Sequence, residues 1–577
     1  MTGSAHLRTL RFGILCNSIE LEAWQVSCLQ ALIQVQGCVP IVAVLNATPQ
    51  PRAPLLSRLA RLLSKGRLGW AVFDRLVASP PSAATRKVSP PEWLRDLQRM
   101  ECVVVKKGRY SEYFIEEDIE RLGKMSLDFL VKFGFGITRG AILDIARYGV
   151  WSFHHDDETR YRGAPPCFWE IYRGDPVTGS ILQRLTEKLD GGVVLKRGYF
   201  QTILHSYVRN RDQAYVGSAV WPAQVCRDIL NGEADYLTQS PTSSNARIYR
   251  YPDNLQMTAF VFRLARNCVK MQLEDLLFCD MWNIGVLNEP VEVVARRGVV
   301  DNIHWMDPPG GDRYLADPSG VSIGGESWIL AEDYSYLGGR GVIAARRLAG
   351  GATNGAWRTV IDIPYHLSFP QILEHNKQLY CLPECAASGE ITLYRAEPFP
   401  DRWVPIATLV PHFAGVDSTL CFHDGRWWLF CTDLERGDRS HLHVFYADAL
   451  TGPYTPHCNN PVKIDIRGSR PAGPLFRLDG AWIRPAQNDA ETYGRSITLN
   501  KIVRMTPEAF QEEIYGELLP DPRSPFPRGL HTIHGLGEVT LIDGKRRRFV
   551  ARVFAKRALD KVSKLLPGQG AGPVRRS

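Results

Sequence analysis

Residues 149–192, GVWSFHHDDETRYRGAPPCFWEIYRGDPVTGSILQRLTEKLDGG, hold a histidine, His154, and an aspartate, Asp190, in a frame of glycines, prolines and a YRGAPP turn. Ser152 and His154 stand two apart in VWSFHH, an apolar run that reads as a strand. Side chains two apart on a strand point to one face. A hydroxyl and an imidazole on one face can donate hydrogen bonds to a common oxygen or move a proton. His154 also has a plainer reading, as a strand-end histidine satisfied by backbone. Asp190, before Gly191 and Gly192, reads either as an acid–base partner or as an ordinary turn aspartate. Between them His155, Asp156, Asp157 and Glu158 make an acidic loop. It suits a metal or, as expected here, pairing with Arg160 and Arg162, and Arg162 is also a candidate for holding substrate.

A second set of polar groups lies between Asp317 and Gln487. Asp317 and Asp417 each open an apolar strand, while Glu332, Glu384, Arg470, Arg484 and Gln487 stand at polar ends of aromatic-rich strands. Such groups suit the binding of a sugar or phosphate, and they serve equally as turn caps and inter-sheet ion pairs. Both readings stay open for each residue.

These groups need scaffolds. LRFGILC, a helix over SIELEAWQVSCLQALIQV, and VPIVAVLN read as strand, helix, strand. CVVVKKG starts another strand, LDFLVKFG is a buried one, TRGAILDIARYG reads as a helix, and WEIYRGD to TGSILQRL continues the sheet. Alternation of this kind predicts an α/β fold with an open, mostly parallel sheet over residues 1–237. It places the His154 motif at the carboxyl end of a strand, where such sheets bind ligands. QSPTSSNA and the helical run after it make 238–280 a connector. From 281 to 550, short β runs follow one grammar, with units starting near Asp317, Ser368, Asp417, Arg470 and His531. Five units of about 50 residues predict an all-β five-bladed propeller, and 551–577 is a basic helix and tail.

The net charge of +8 is concentrated at one end. Residues 545–577 contain eleven Lys/Arg against one acid, Asp560, so the rest of the chain is near neutral and no nucleic-acid-binding face is expected. A second basic stretch carries Leu55, Leu56, Leu59, Leu62 and Leu63 at helical spacing. It and the tail can touch an anionic membrane peripherally, although packing on their own domain is the expectation. The 13 cysteines form no CxxC pair, no apolar run is long enough to span a bilayer, and the N-terminus lacks a secretory pattern. These features predict a reduced, cytoplasmic protein, peripheral at the inner membrane face at most.

The 149–192 frame resembles the core of the formyltransferases that use 10-formyltetrahydrofolate, which act on methionyl-tRNA, glycinamide ribonucleotide or sugars. His154, YRGA, GDPVTG and LDGG match that family's motif, whereas Ser152 stands where the family has asparagine and HDDE replaces its Pro-Ser-x-x. The resemblance implies Ser152 and His154 as donors to the oxyanion and Asp190 as the group that polarises the histidine or relays a proton. It also implies Ile137, Thr138, Arg139 and Gly192 around the folate. A serine hydroxyl reaches less far than an amide, and loss of one oxyanion donor costs roughly 10²–10³ in rate.

The repeat resembles five-bladed carbohydrate-active propellers through Ala316-Asp317-Pro318. It is similar, more closely, to the propeller region of plant glucosamine inositolphosphorylceramide transferases and their bacterial relatives, through HDGRWWLF, RPAGPLF and RPAQ. Glycosidases of this build bring carboxylates together as acid and base. Here His366-Leu367-Ser368-Phe369-Pro370 opens the second unit without one, so hydrolysis is not expected. Together the resemblances imply an enzyme that moves a formyl group from 10-formyltetrahydrofolate to the amine of an amino-sugar or glycolipid precursor in surface-glycan assembly. Two alternatives stay open: a degenerate formyltransferase core used as a glycan-binding scaffold, and a propeller-centred glycosidase or glycosyltransferase.

Overall fold

The computed structural model describes residues 9–49, 62–108, 111–188, 191–241, 244–348 and 355–565. Asp190, Leu55, Leu56, Leu59 and the end of the tail lie outside the described residues. The chain divides into two compact units, Met1–Cys268 and Val269–Ser577. The division falls inside the helix Asn254–Leu277, so residues 238–268 count with the first unit and are no separate connector. Packing explains this, because Met257 and Phe260 join Phe73, Phe168 and Tyr207 in one buried cluster.

In the first unit seven strands form one sheet. Its order runs Val193–Gln201, Val177–Arg184, Val150–His154, Phe129–Lys132, Leu10–Cys16, Cys38–Asn46, Arg99–Cys102. The last five are mutually parallel, and Val177–Arg184 runs antiparallel to both of its neighbours. Parallel strands are covered on both faces and so read as continuous apolar runs. Phe12, Phe129 and Trp151 stack in succession across three of them, at 5.3 and 4.0 Å. A smaller sheet joins Val104–Lys107, Ser111–Phe114 and Ile137–Arg139, with the last strand at its edge.

Two expected elements differ. TRGAILDIARYG forms that edge strand and one 3-10 turn, Ala141–Asp144, because Gly140 sits at φ 80° and Ile142, Leu143 and Ala146 plug the core. WEIYRG is a short helix, Trp169–Arg173, stopped by Gly174 in the left-handed conformation. The YRGAPP motif has a second role: Arg162 and Gly163 pair in parallel with Ile248 and Tyr249. Gly163 has φ +106°, and a Cβ there would lie 2.1 Å from the Tyr249 carbonyl oxygen.

Among its described residues the second unit holds five sheets of four or five strands, antiparallel apart from one short pair. One sheet uses both ends of the unit, with Cys279–Leu287 paired along its length to Val539–Arg548. Neighbouring sheets pack through apolar side chains, as Leu330 and Ile343 do against Cys381, Tyr394 and Trp403. The strands Arg313–Ile323, Ser368–His375 and Gly415–His423 break register at one equivalent place, after Ala316, Ser368 and Val416. Asp317, Phe369 and Asp417 occupy these bulges at φ 54°, 42° and 50°. The helix Ala551–Leu565 buries Val553 and directs Lys556 and Arg557 to the carbonyls of Leu337, Asp275 and Phe278. Among the described residues no helix is long and apolar enough to cross a membrane.

Gly163→Ala is expected to push the 247–251 segment off the YRGAPP turn and cost at least ~1 kcal/mol. Limited trypsinolysis reads this as faster cleavage after Arg247 and Arg250; an unchanged digest contradicts it.

Candidate functional site

Strand Val150–His154 places Ser152 in register with Lys132 on one side and Gln183 on the other. Register partners share a face, so Lys132, Ser152 and Gln183 form a polar row across three neighbouring strands. His154 follows at the strand end, half-buried, with Nε2 3.4 Å from the Tyr161 carbonyl oxygen.

The row leads to the other sequence motifs. A Cβ on Gly192 would lie 2.6 Å from Gln183 Oε1, so the glycine is what lets the two pack. Thr186 Oγ1 donates to the Gly191 carbonyl at 2.8 Å and closes the loop that carries position 190. From the same loop Glu187 accepts the Gly140 N–H at 2.6 Å and stands 3.5 Å from Arg139. The strand end, the 186–192 loop and the Ile137–Gly140 segment are therefore neighbours, while the Asp190 side chain lies outside the described residues. Among the described residues Ile137–Arg139 pairs only with Ser111–Tyr113, leaving the backbone groups of its outer edge outside the ladder. Thr138 is buried, and Arg139 Nε donates to Ser111 Oγ at 3.1 Å.

Lys132 is the residue that the motifs do not reveal. Burial pushes its ammonium pKa down to about 8, with Glu112 opposing. Glu112 also accepts the Gly136 N–H at 2.5 Å, which links the lysine to the edge segment. The available signal was a lysine inside LDFLVKFG, since charged residues in covered strands are rare unless they are used.

The acidic loop spends its groups separately. His155 is buried on Phe153 and Tyr215 with Nδ1 3.0 Å from Ser180 Oγ, and burial pushes its pKa down to about 3. Asp156 accepts the Cys167 N–H at 2.7 Å, Asp157 accepts from Thr159, and Glu158 pairs with Arg197. The expected arginine partners are engaged elsewhere. Arg160 meets Asp175 at 3.1 Å, and Arg162 donates to the carbonyls of Ser244 and Ala246 at 3.2 and 3.5 Å. Arg162 acts as a backbone clamp here.

In the second unit all the groups singled out except Arg484 meet. Arg470 Nε lies 2.5 Å from Asp417 Oδ2, and Gln487 Nε2 donates to the same oxygen at 2.6 Å. The Asp417 N–H donates to Glu384 Oε2 at 3.2 Å, and Arg470 Nη2 stands 4.0 Å from that oxygen. Arg484 is fully buried in its own sheet, held by Glu512 at 2.7 Å and by the Gly468 and Ser469 carbonyls. It is a structural ion pair.

His531 and Asp543 complete the cluster and were not legible beforehand. His531 Nε2 lies 3.2 Å from Asp317 Oδ1, and Nδ1 lies 2.6 Å from Asp543 Oδ2 at ion-pair distance, without hydrogen-bond alignment. Among the described residues this buried trio is also the group whose atoms are spaced to hold a metal ion. Burial alone lowers the imidazole pKa, and Asp543 and Asp317 more than reverse it. Burial raises Asp317; His531 opposes, Asp417 and Asp543 reinforce, and the carboxyl ends at about 7. Glu332 and Glu384 are raised well above the carboxylate range by burial and by neighbouring acids. Asp417 goes the other way: burial raises it, but Arg470, Glu384 and His531 together outweigh that and hold it low. The gap between Asp317, Phe369 and Gly473 is only about 10 Å³, no more than one water's worth of room.

Both buried cations carry a pH signature. Lys132 is depressed from 10.5 to about 8, so its charged form costs the fold on the order of 3 kcal/mol at pH 7. Lys132→Met should therefore stabilise at pH 7, with the gain shrinking as the pH rises from about 8 towards 10.5; urea melts at pH 7 and 10 decide it. His531 is raised, so its contribution is complete below its ordinary value near 6.5 and fades as pH climbs through the folded value. His531→Asn should cost about 3 kcal/mol at pH 6 and less at pH 9. Equal losses at the two pH values contradict the ion-pair assignment.

Residues 311–518 match the family described as "Glucosamine inositolphosphorylceramide transferase 1, N-terminal". The protein of that name from Oryza sativa subsp. japonica is 33% identical over 205 residues, 34% of this chain and 27% of its own length. That from Arabidopsis thaliana is 32% identical over the same span and shares. Methionyl-tRNA formyltransferase of Prochlorococcus marinus subsp. pastoris is 41% identical over 78 residues, 13% of this chain and 24% of its own length. The chain spans about a quarter of the length of each of these relatives. Two solved structures align more loosely, each at 13% identity. An α-L-arabinofuranosidase from Podospora anserina does so at TM-score 0.32, covering 43% of this chain and 93% of its own. Glycinamide ribonucleotide transformylase 1 from Symbiobacterium toebii does so at TM-score 0.25, covering 39% and 89%. These two are too slight to bear on function. The chain thus joins a formyltransferase-related N-terminal region to a region matching the N-terminal part of glucosamine inositolphosphorylceramide transferase 1.

Proposed function

We propose that the first unit transfers a formyl group from 10-formyltetrahydrofolate to the amino group of a sugar or glycolipid precursor. The second unit, read as a five-bladed propeller, would hold the glycan part. The observation that supports this most is the meeting of Ser152 and His154 with the 186–192 loop and the open edge of Ile137–Arg139. That meeting occurs at the carboxyl end of a parallel strand.

10-Formyltetrahydrofolate supplies an activated formyl carbon. What the chain supplies is donors and proton handling. His154 and Ser152 face the position where the carbonyl oxygen gains charge, and a donor aimed there is worth roughly 10²–10³ in rate. Ser152 reaches less far than an amide, and Lys132, its register partner, adds an ammonium to the same face. The attacking amine must lose a proton, and the His154 imidazole, with a partner from the 186–192 loop, is placed to pass it on.

The second unit's centre is not built for hydrolysis. Its carboxylates are committed to Arg470, Gln487 and His531, and the space beside Asp317 admits no sugar ring.

Incubation with 10-formyltetrahydrofolate and nucleotide-linked amino-sugars should give a formamide product. His154→Ala should lower its rate at least about 100-fold and Ser152→Ala about tenfold. No folate binding by calorimetry at millimolar ligand would sink the proposal. Ser152→Asn separates the alternatives: a large gain marks a decayed site, and a loss marks one retuned around serine and Lys132.

A further inference from the structure

The first unit carries a second concave site that formyl transfer leaves unused. It is a cavity of about 480 Å³ between the helix Trp169–Arg173 and the 247–251 segment. That size lies within the usual range of small-ligand sites. Arg173, Arg247 and Arg250 line it with the rings of Trp169, Tyr249 and Tyr251, and among the described residues no aspartate or glutamate does.

Each wall is held before any ligand arrives. Trp169 Nε1 donates to the Ala164 carbonyl at 3.2 Å and its ring lies 4.7 Å from that of Tyr249. Tyr249 is fixed in turn by its pairing with Gly163. The arginines, by contrast, are exposed, and Tyr251 presents 44% of its surface to solvent. The Arg247 guanidinium stands 5.5 Å from the centre of the Tyr249 ring, a cation–π placement that orients it along the wall.

Three guanidiniums without a carboxylate among them create a positive concavity that favours an anion. Their planar forks match phosphate oxygens two at a time. Aromatic faces beside them favour a flat ring, because every base has a π-face that stacks on an aromatic side chain. A ligand that uses both features carries a phosphate group and a planar ring in one small molecule. We propose that this cavity binds a nucleoside diphosphate, alone or as the carrier of a sugar. The proposal does not rest on formyl transfer, and its test does not involve folate.

Isothermal titration of the full chain with UDP, ADP, inorganic pyrophosphate and a short single-stranded RNA decides it. A nucleoside diphosphate should bind saturably and at least about fivefold more tightly than pyrophosphate, since only the former can stack. Arg247→Glu with Arg250→Glu should weaken that binding at least about tenfold, and Tyr251→Ala should weaken it several-fold. These side chains are exposed, so circular dichroism and thermal melting should show the variants folded. Arg247→Lys with Arg250→Lys, which keeps charge but loses the fork, should fall between wild type and the reversal. Absence of binding at millimolar ligand overturns the proposal. So does binding indifferent to the charge reversal, equal affinity for pyrophosphate, or RNA held more tightly than either nucleotide.

Discussion

A β-bulge releases a backbone N–H from its ladder, and a buried N–H left without an acceptor costs about 1–3 kcal/mol. The second unit meets that demand with carboxylates from neighbouring sheets. The Asp317 N–H donates to Asp543, the Phe369 N–H to Asp317, and the Asp417 N–H to Glu384. In each case the bulge of one sheet is capped by an acid from another. Asp543 makes the arrangement circular, because it sits on the strand paired with the start of the unit and also accepts from His531 N, Thr532 N and Thr532 Oγ1. Acids buried this deeply then require cations, and Arg470 and His531 supply them. The polar centre follows from the bulges, before any substrate is considered.

The first unit faces a different constraint. Its central strands are covered on both faces, so polar side chains there lose water and gain little. Three of them, Lys132, Ser152 and Gln183, form one row, and Gly192 packs against its Gln183. The YRGAPP turn shows the same economy. Its glycine admits the strand Ile248–Tyr249, and Arg162 clamps the chain just before it, so a motif read as part of one site also shapes the neighbouring cavity.

The sequence announces what is local and hides what is long-range. Ser152 and His154 stand on a strand because apolar alternation and spacing say so, and five repeats of similar length reveal the sheets. Asp543 stayed hidden because Asp-Gly is a turn signal. Here it lies in mid-strand, where a Cβ at Gly544 would meet the Trp305 ring at 2.2 Å. Arg484 looked like a ligand because its partner, Glu512, is on another strand and no local pattern pairs them. TRGAILDIARYG has helical spacing, but Gly140 in a left-handed conformation prevents the helix from starting. Lys132 was visible as a violation of an apolar strand, and only the register with Ser152 gave that violation a meaning.

The polar row of the first unit carries an energetic cost. A core that served only as a scaffold would gain stability by exchanging Lys132 for an apolar residue, since burial, only partly opposed by Glu112, depresses its ammonium to about 8. Gln183 and Ser152 beside it impose a smaller cost of the same kind. The row therefore lowers stability instead of adding to it. Glu112 carries the same logic outward, opposing the lysine's desolvation while holding the Gly136 N–H at the start of the open edge strand.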